Sequence, residues 1–293
     1  MVQPTGKISP LRQRMIDDMR MRNFSPATQR NYLRYVRDFA AYLKRSPDQA
    51  TAEELREYLV HLTDNGASPT TYNAYLPALK FFFQTTIDRP DVVRKLRTQP
   101  TPTRLPKVLS RDEVRRLLEA TTHLKYKAAF SIAYGAGLRI NEVVHLKVCD
   151  IDSQQMLLRV EQGKGKKDRY AQLSPVLLET LRDWWREGKR QHKMLDNGWL
   201  FPGQNPVNPL SARQLSRAFK LVAAEAELDP KYSIHALRHS YATHLLEDKV
   251  DIRVIQTLLG HSKIETTTRY TQVANSLLQE VTSPLDRLNP TTQ

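Results

Sequence analysis

Apolar residues recur at three- and four-residue intervals along the first hundred positions, the period of helices that bury one face. Leu11, Met15 and Met19 form the first stripe. Tyr32, Val36, Phe39 and Leu43 form the second, opened by Ser25-Pro26, where serine can cap and proline needs no N–H. Thr51-Ala52-Glu53-Glu54 is a capping box ahead of Leu55, Leu59 and Leu62, with a stop at Gly66. Ser68-Pro69 opens a fourth helix carrying Tyr72, Leu76, Leu79 and Phe83 on one face. Part of the second helix echoes in the fourth: Ser25, Pro26, Thr28 and Tyr32 return as Ser68, Pro69, Thr71 and Tyr75. Shared capping accounts for this as well as duplication does, so no repeat is read from it. Periodicity then stops. Residues 98–106 hold three prolines and suit an extended linker.

Ser110-Arg111-Asp112-Glu113 restarts structure as a second capping box. Helical patterns follow at 111–121, 124–136 and 140–147, and again at 175–187, 211–226, 234–247, 251–259 and 263–271. Between the two groups, 156–161 and 169–173 read as strands joined by the polar loop Gly163–Asp168. The expected fold is mainly α. A four-helix domain spans 8–97 and a linker 98–107. A mostly helical domain with a small antiparallel β-sheet spans 108–285.

Charge changes the picture. The 293 residues carry 45 Lys+Arg against 31 Asp+Glu, a net +14. That excess is shared: 17 basic against 10 acidic residues through 106, and 28 against 21 beyond it, each giving +7. A basic tail is therefore not its source, and two domains gripping one polyanion is the expectation, nucleic acid ahead of an acidic membrane surface. Hydrophobic content of 40% excludes wholesale disorder. A single cysteine, Cys149, excludes an intramolecular disulfide and suits a reducing cytoplasm. The first seven residues offer no secretory stretch and no apolar run approaches a membrane span, so a cytoplasmic location is expected.

Three groups of residues could carry chemistry. On a helix from 234, Leu237, Tyr241, His244 and Leu245 share one face, while His235, Arg238 and His239 lie opposite around Ala242. The second face is either ordinary solvated surface or a phosphate site, since arginine offers a planar fork and histidine a proton. Zinc is disfavoured, because His235 and His239 lack the glutamate of a metalloprotease helix. Gly135-Ala136-Gly137-Leu138-Arg139-Ile140-Asn141-Glu142 places two glycines and an arginine at a helix start, with Glu142 able to orient the guanidinium. Lys164, Lys166 and Lys167 crowd the hairpin loop, as a solvated turn or as a reach into a DNA groove. Finally, Gly260 ends one helix and Ser262 with Glu265 caps the next, which puts His261 at an electropositive junction and Tyr270 two turns along.

Taken in order, Leu138-Arg139-Ile140-Asn141-Glu142, Gly163-Lys164-Gly165, His235-Ala236-Leu237-Arg238-His239, Leu259-Gly260-His261-Ser262 and Tyr270 resemble the tyrosine recombinase (phage integrase) family in its Xer-like two-domain branch. The resemblance runs from the four-helix domain to about residue 275 and includes every catalytic position of the family pattern. It implies site-specific cutting and rejoining of duplex DNA through a 3′-phosphotyrosyl intermediate and a Holliday junction, without cofactor or metal. Arg139 and Arg238 would clamp the scissile phosphate, with His261 as a third donor. Tyr270 would be the nucleophile and His235 its base. Lys164 would protonate the leaving 5′-oxygen, a choice over Lys166 and Lys167 that rests on the Gly-Lys-Gly pattern alone. Residues 8–97 would be the core-binding DNA clamp. The family works as a tetramer on two sites, and residues 273–281 are apolar enough to dock on a neighbouring subunit or on their own domain. The rivals are relaxation of the type IB topoisomerase kind and a catalytically silent DNA-binding regulator. About 105 residues precede the catalytic domain, so an arm-binding domain is not expected, and the expectation leans to a Xer-like or mobile-element enzyme with simple core sites.

Overall fold

A computed structural model describes residues 8–102, 105–161, 168–260, 264–268 and 270–271. The chain divides into two compact units, Met1–Thr103 and Arg104–Gln293. The first contains α1 (Pro10–Met21), α2 (Pro26–Leu43), α3 (Ala52–Asp64) and α4 (Pro69–Phe81). Each starts on a hydroxyl: Ser9, Ser25, Thr51 and Ser68 accept from the backbone N–H three residues on. Thr51 and Glu54 complete the capping box. The apolar stripes meet in a core of Met15, Met19, Phe39, Leu55, Leu76 and Leu79. The end of α4 differs from the simple helical reading. The helix absorbs Pro77 and then widens into a π-turn over Phe82–Thr86. Consecutive residues on an α-helix point 100° apart, and the wider turn lets Phe82 and Phe83 both enter the core.

The second unit holds α5 (Arg111–Ala120), α6 (Leu124–Gly135), α7 (Ile140–Val144), β1 (Ile151–Asp152), β2 (Leu157–Val160) and β3 (Arg169–Gln172). These are followed by α8 (Pro175–Arg190), α9 (Ala212–Glu225), α10 (His235–Glu247), α11 (Ile252–Leu259) and α12 (Glu265–Thr268). The sheet runs β1-β2-β3, antiparallel throughout, with Leu158 opposite Ala171 and Val160 opposite Arg169. The short edge strand β1 escapes sequence reasoning, since two residues carry no alternation. The main core includes Phe130, Leu158, Leu181, Trp184, Phe201, Phe219 and Leu237. Trp184 donates from its buried indole N–H to the Leu200 carbonyl at 2.8 Å. A smaller core of Tyr241, Ala242, Leu246, Ile255, Leu259 and Tyr270 lies on the far side of α10.

That second core corrects the two-faced reading of α10. Leu237 does face the main core, but Ala242 is fully buried and Arg238 is only 4% exposed. The helix is packed on both sides beyond its first turn, where His235 remains exposed. A second correction concerns the chain end of the site. The helix expected over 263–271 is observed over Glu265–Thr268, and Tyr270 lies in the turn beyond it, its N–H bonded to the Thr267 carbonyl. Among the described residues, no helix is long and apolar enough to cross a membrane.

Candidate active site

The site forms where α7 begins. Gly137 has φ +63°, and a Cβ there would sit 2.4 Å from the Tyr241 ring, so glycine is required by conformation and by packing. Close approach to Tyr241, a residue of α10, is the structural demand at this position. The tight turn delivers Arg139 to the N-cap of α7, where its N–H donates to Glu142 Oε2 at 2.8 Å. The Arg139 guanidinium bends back to Glu142 Oε1 at 2.7 Å. Glu142 therefore does orient the arginine, as its spacing predicts.

Arg238 reaches the same place from α10. Its Nη1 donates to the Gly137 carbonyl at 2.5 Å and its Nη2 to the Leu259 carbonyl at 2.7 Å, while Nη1 lies 3.8 Å from Glu142 Oε2. One planar fork thus ties the turn before α7 to the end of α11. Burial, followed by the neighbouring Arg139 charge, pulls the Arg238 pKa down to about 10, which still leaves it cationic at neutral pH. The Glu142 pKa is lowered too, which for a carboxylate favours the charged form. Burial raises its pKa, but the hydrogen bonds and charges of Arg169 and Arg139 win and hold it at about 2.

That depression gives an acid-stability prediction. A carboxylate of ordinary pKa 4.5 unfolded and about 2 folded stabilises the protein above pH 4.5 and loses the contribution as pH falls towards 2. By pH 3 the loss should be about 2 kcal/mol. Urea denaturation between pH 6 and 3 should therefore show a steeper fall for wild type than for Glu142→Gln. Equal slopes would refute the ionised pair.

Tyr270 is buried, at 3% exposure, and its Oη lies 3.1 Å from His239 Nδ1. It is also close enough to Arg238 to act on that residue's ionisation. His235, at the start of α10, is exposed beside a cleft of about 620 Å³ that Arg139, Glu142, Lys147 and Trp199 also line. Desolvation, then the charges of Arg238 and Arg139, hold its pKa below the ordinary histidine value. Arg139, His235, Arg238 and Tyr270 are thus brought to one region of the second unit. Lys164, Lys166, Lys167 and His261 lie outside the described residues, as does 273–281.

Two contacts were not anticipated from the sequence. His239 stood on the expected face with Arg238, but its place against the Tyr270 hydroxyl appears only in three dimensions. Arg169 donates to both oxygens of Glu142, at 2.9 and 2.8 Å. A signal for it existed: on β3 it is two residues from inward-facing Ala171, which puts it on the covered face. An arginine there needs a partner.

Comparison with known proteins adds an independent line. Residues 107–276 match the phage integrase family, and residues 11–91 match the phage integrase N-terminal SAM-like domain. A Sinorhizobium fredii protein bearing the name integrase/recombinase is 42% identical over 283 residues, covering 96% of this chain and 90% of the relative. The tyrosine recombinase XerA of Thermococcus kodakarensis is 36% identical over 254 residues, covering 85% and 86% respectively. In fold, the chain is similar to the crystal structure of the XerH site-specific recombinase bound to a palindromic difH substrate. The TM-score is 0.71 at 24% identity, over 94% of this chain and 84% of that one.

Proposed function

This chain belongs to the phage integrase family of tyrosine recombinases, and we propose that Tyr270 is the nucleophile with which it cuts and rejoins duplex DNA at specific sites. It is an enzyme of site-specific recombination. The observation that carries the assignment is the meeting of two guanidiniums, Arg139 and Arg238, with a tyrosine hydroxyl, with the Glu142 carboxylate between the arginines.

A phosphodiester under attack gathers negative charge on its non-bridging oxygens, and charge-assisted donors stabilise that charge more than the ground state. Arg139 and Arg238 supply such donors, with His261 as a third. Tyr270 Oη bonds to phosphorus as the bond to the 5′-oxygen breaks, leaving a 3′-phosphotyrosyl link and a free 5′-hydroxyl. The tyrosine proton passes to a histidine. The family pattern gives that role to His235, and His239 lies 3.1 Å from the hydroxyl in the free protein. Lys164 protonates the leaving oxygen. Because the phosphotyrosyl bond conserves the energy of the cut, the 5′-hydroxyl of a partner strand can reverse the step and complete an exchange.

In this reading 8–97 forms the DNA clamp, 98–107 the linker and 108–285 the catalytic domain. A tetramer acts on two sites through a Holliday junction, with 273–281 docking on a neighbouring subunit, in the cytoplasm. The test is a plasmid bearing two copies of the duplex site that the protein itself selects from a random library. Recombinant circles of the two predicted sizes are the expected product. Relaxation of supercoils without exchange would make it a topoisomerase instead, and binding without either would make it a regulator.

A further inference from the structure

Glu142 is the hub of the site, and what holds Glu142 matters as much as what it holds. Its Oε2 accepts from the Arg139 backbone and from Arg169 Nη2; its Oε1 accepts from the Arg139 guanidinium and from Arg169 Nη1. The carboxylate is thus fixed from one side by β3 and spends its remaining capacity on α7. Arg169 does more than close this pair. Its Nε donates to the Leu258 carbonyl at 3.3 Å, one residue before the Leu259 carbonyl that receives Arg238. The Leu259 end of the Arg238 fork therefore rests on a segment that Arg169 also reaches.

The packing around Arg169 is built to admit it. Its side chain is 11% exposed, against 24% for Arg139. Gly260 lies over it in left-handed conformation, φ +62°, and a Cβ there would stand 2.6 Å from Arg169 Cδ. Glycine at 260 thus serves the end of α11 and the passage of the arginine chain together. Lysine could not replace this contact set. A single ammonium is a point charge and cannot span both carboxylate oxygens and a carbonyl with a planar fork.

We propose that Arg169 is a positioning residue for DNA cleavage: its two-armed pair with Glu142 and its bond to Leu258 fix the carboxylate that aims Arg139 and the segment that anchors Arg238. The proposal rests on the recombinase reading of Arg139, Arg238 and Tyr270. Arg169 itself need not touch DNA.

The experiment follows covalent adduct formation in a single turnover, with protein saturating, on a nicked duplex of the selected site. Arg169→Lys should cleave about 10–100-fold more slowly, the scale on which supporting contacts tune a site. Duplex affinity should stay within about threefold, because most binding comes from other phosphates. The decisive comparison is non-additivity. In an Arg139→Lys background, adding Arg169→Lys should cost less than about twofold more, since the aim it supports is already lost. Cleavage by Arg169→Lys within about twofold of wild type, or a full multiplicative loss in the double variant, would overturn the proposal. So would the loss of a melting transition in both Arg169→Lys and Arg169→Gln, which would make the residue a folding element. Wild type and Tyr270→Phe run alongside. An adduct that survives in Tyr270→Phe sinks the recombinase reading, and the Arg169 proposal with it. An adduct lost there but unchanged in Arg169→Lys sinks the Arg169 proposal alone.

Discussion

Tyr270→Phe is expected to yield a protein that binds its duplex site with unchanged affinity and never becomes joined to it. The substitution removes one oxygen from a ring that is 3% exposed and packed with Tyr241, Ile255 and Leu259, so the ring's place in the small core is kept. The hydrogen bond to His239 is lost, at a cost of about 1 kcal/mol. Chemistry, by contrast, should fall below detection, because in this reading the Tyr270 hydroxyl supplies the oxygen of the covalent link. Denaturing gels of the protein with a labelled nicked duplex measure this directly. A band of the joined species persisting at the wild-type rate would transfer the nucleophile to another residue.

The second large effect is expected at Arg238. Arg238→Lys keeps a positive charge on α10 but cannot serve Gly137, Leu259 and a phosphate oxygen at once, as the fork can. Removal of one well-aimed donor to a developing oxyanion typically costs 10²–10³-fold, or about 2.7–4 kcal/mol. Cleavage by Arg238→Lys should fall by at least about a hundredfold, while binding weakens only severalfold. The two are separated by measuring the cleavage rate at saturating protein beside gel-shift affinity at one salt concentration. Equal losses in both would mean that Arg238 serves general phosphate binding and has no special part in the transition state.

What the sequence makes legible is set by the range over which residues act on one another. The caps were legible because hydroxyl, proline and glutamate act within four residues of one another, as at Thr51–Glu54 and Ser110–Glu113. The pairing of Arg139 with Glu142 was legible for the same reason, being one turn apart. The burial of Ala242 was not, since periodicity reports one apolar face and α10 has a second core assembled from α11 and Tyr270. The Arg169–Glu142 pair spans 27 residues and depends on β3 lying beside α7, which no local pattern encodes. Helical spacing places Tyr270 within a helix, whereas the structure has it in a turn, its N–H bonded to the Thr267 carbonyl.

The double packing of α10 bears on how such an enzyme could be retargeted. A helix exposed on one face accepts change there cheaply, and selection can explore it one residue at a time. A helix packed on both sides along most of its length, with Ala236, Ser240 and Ala242 nearly inaccessible, leaves no spare volume for larger side chains at those positions. New sequence preference would then have to be acquired elsewhere on the molecule. Libraries built on α10 should return mostly dead clones, and those that spare it should retain catalysis while they drift in site choice.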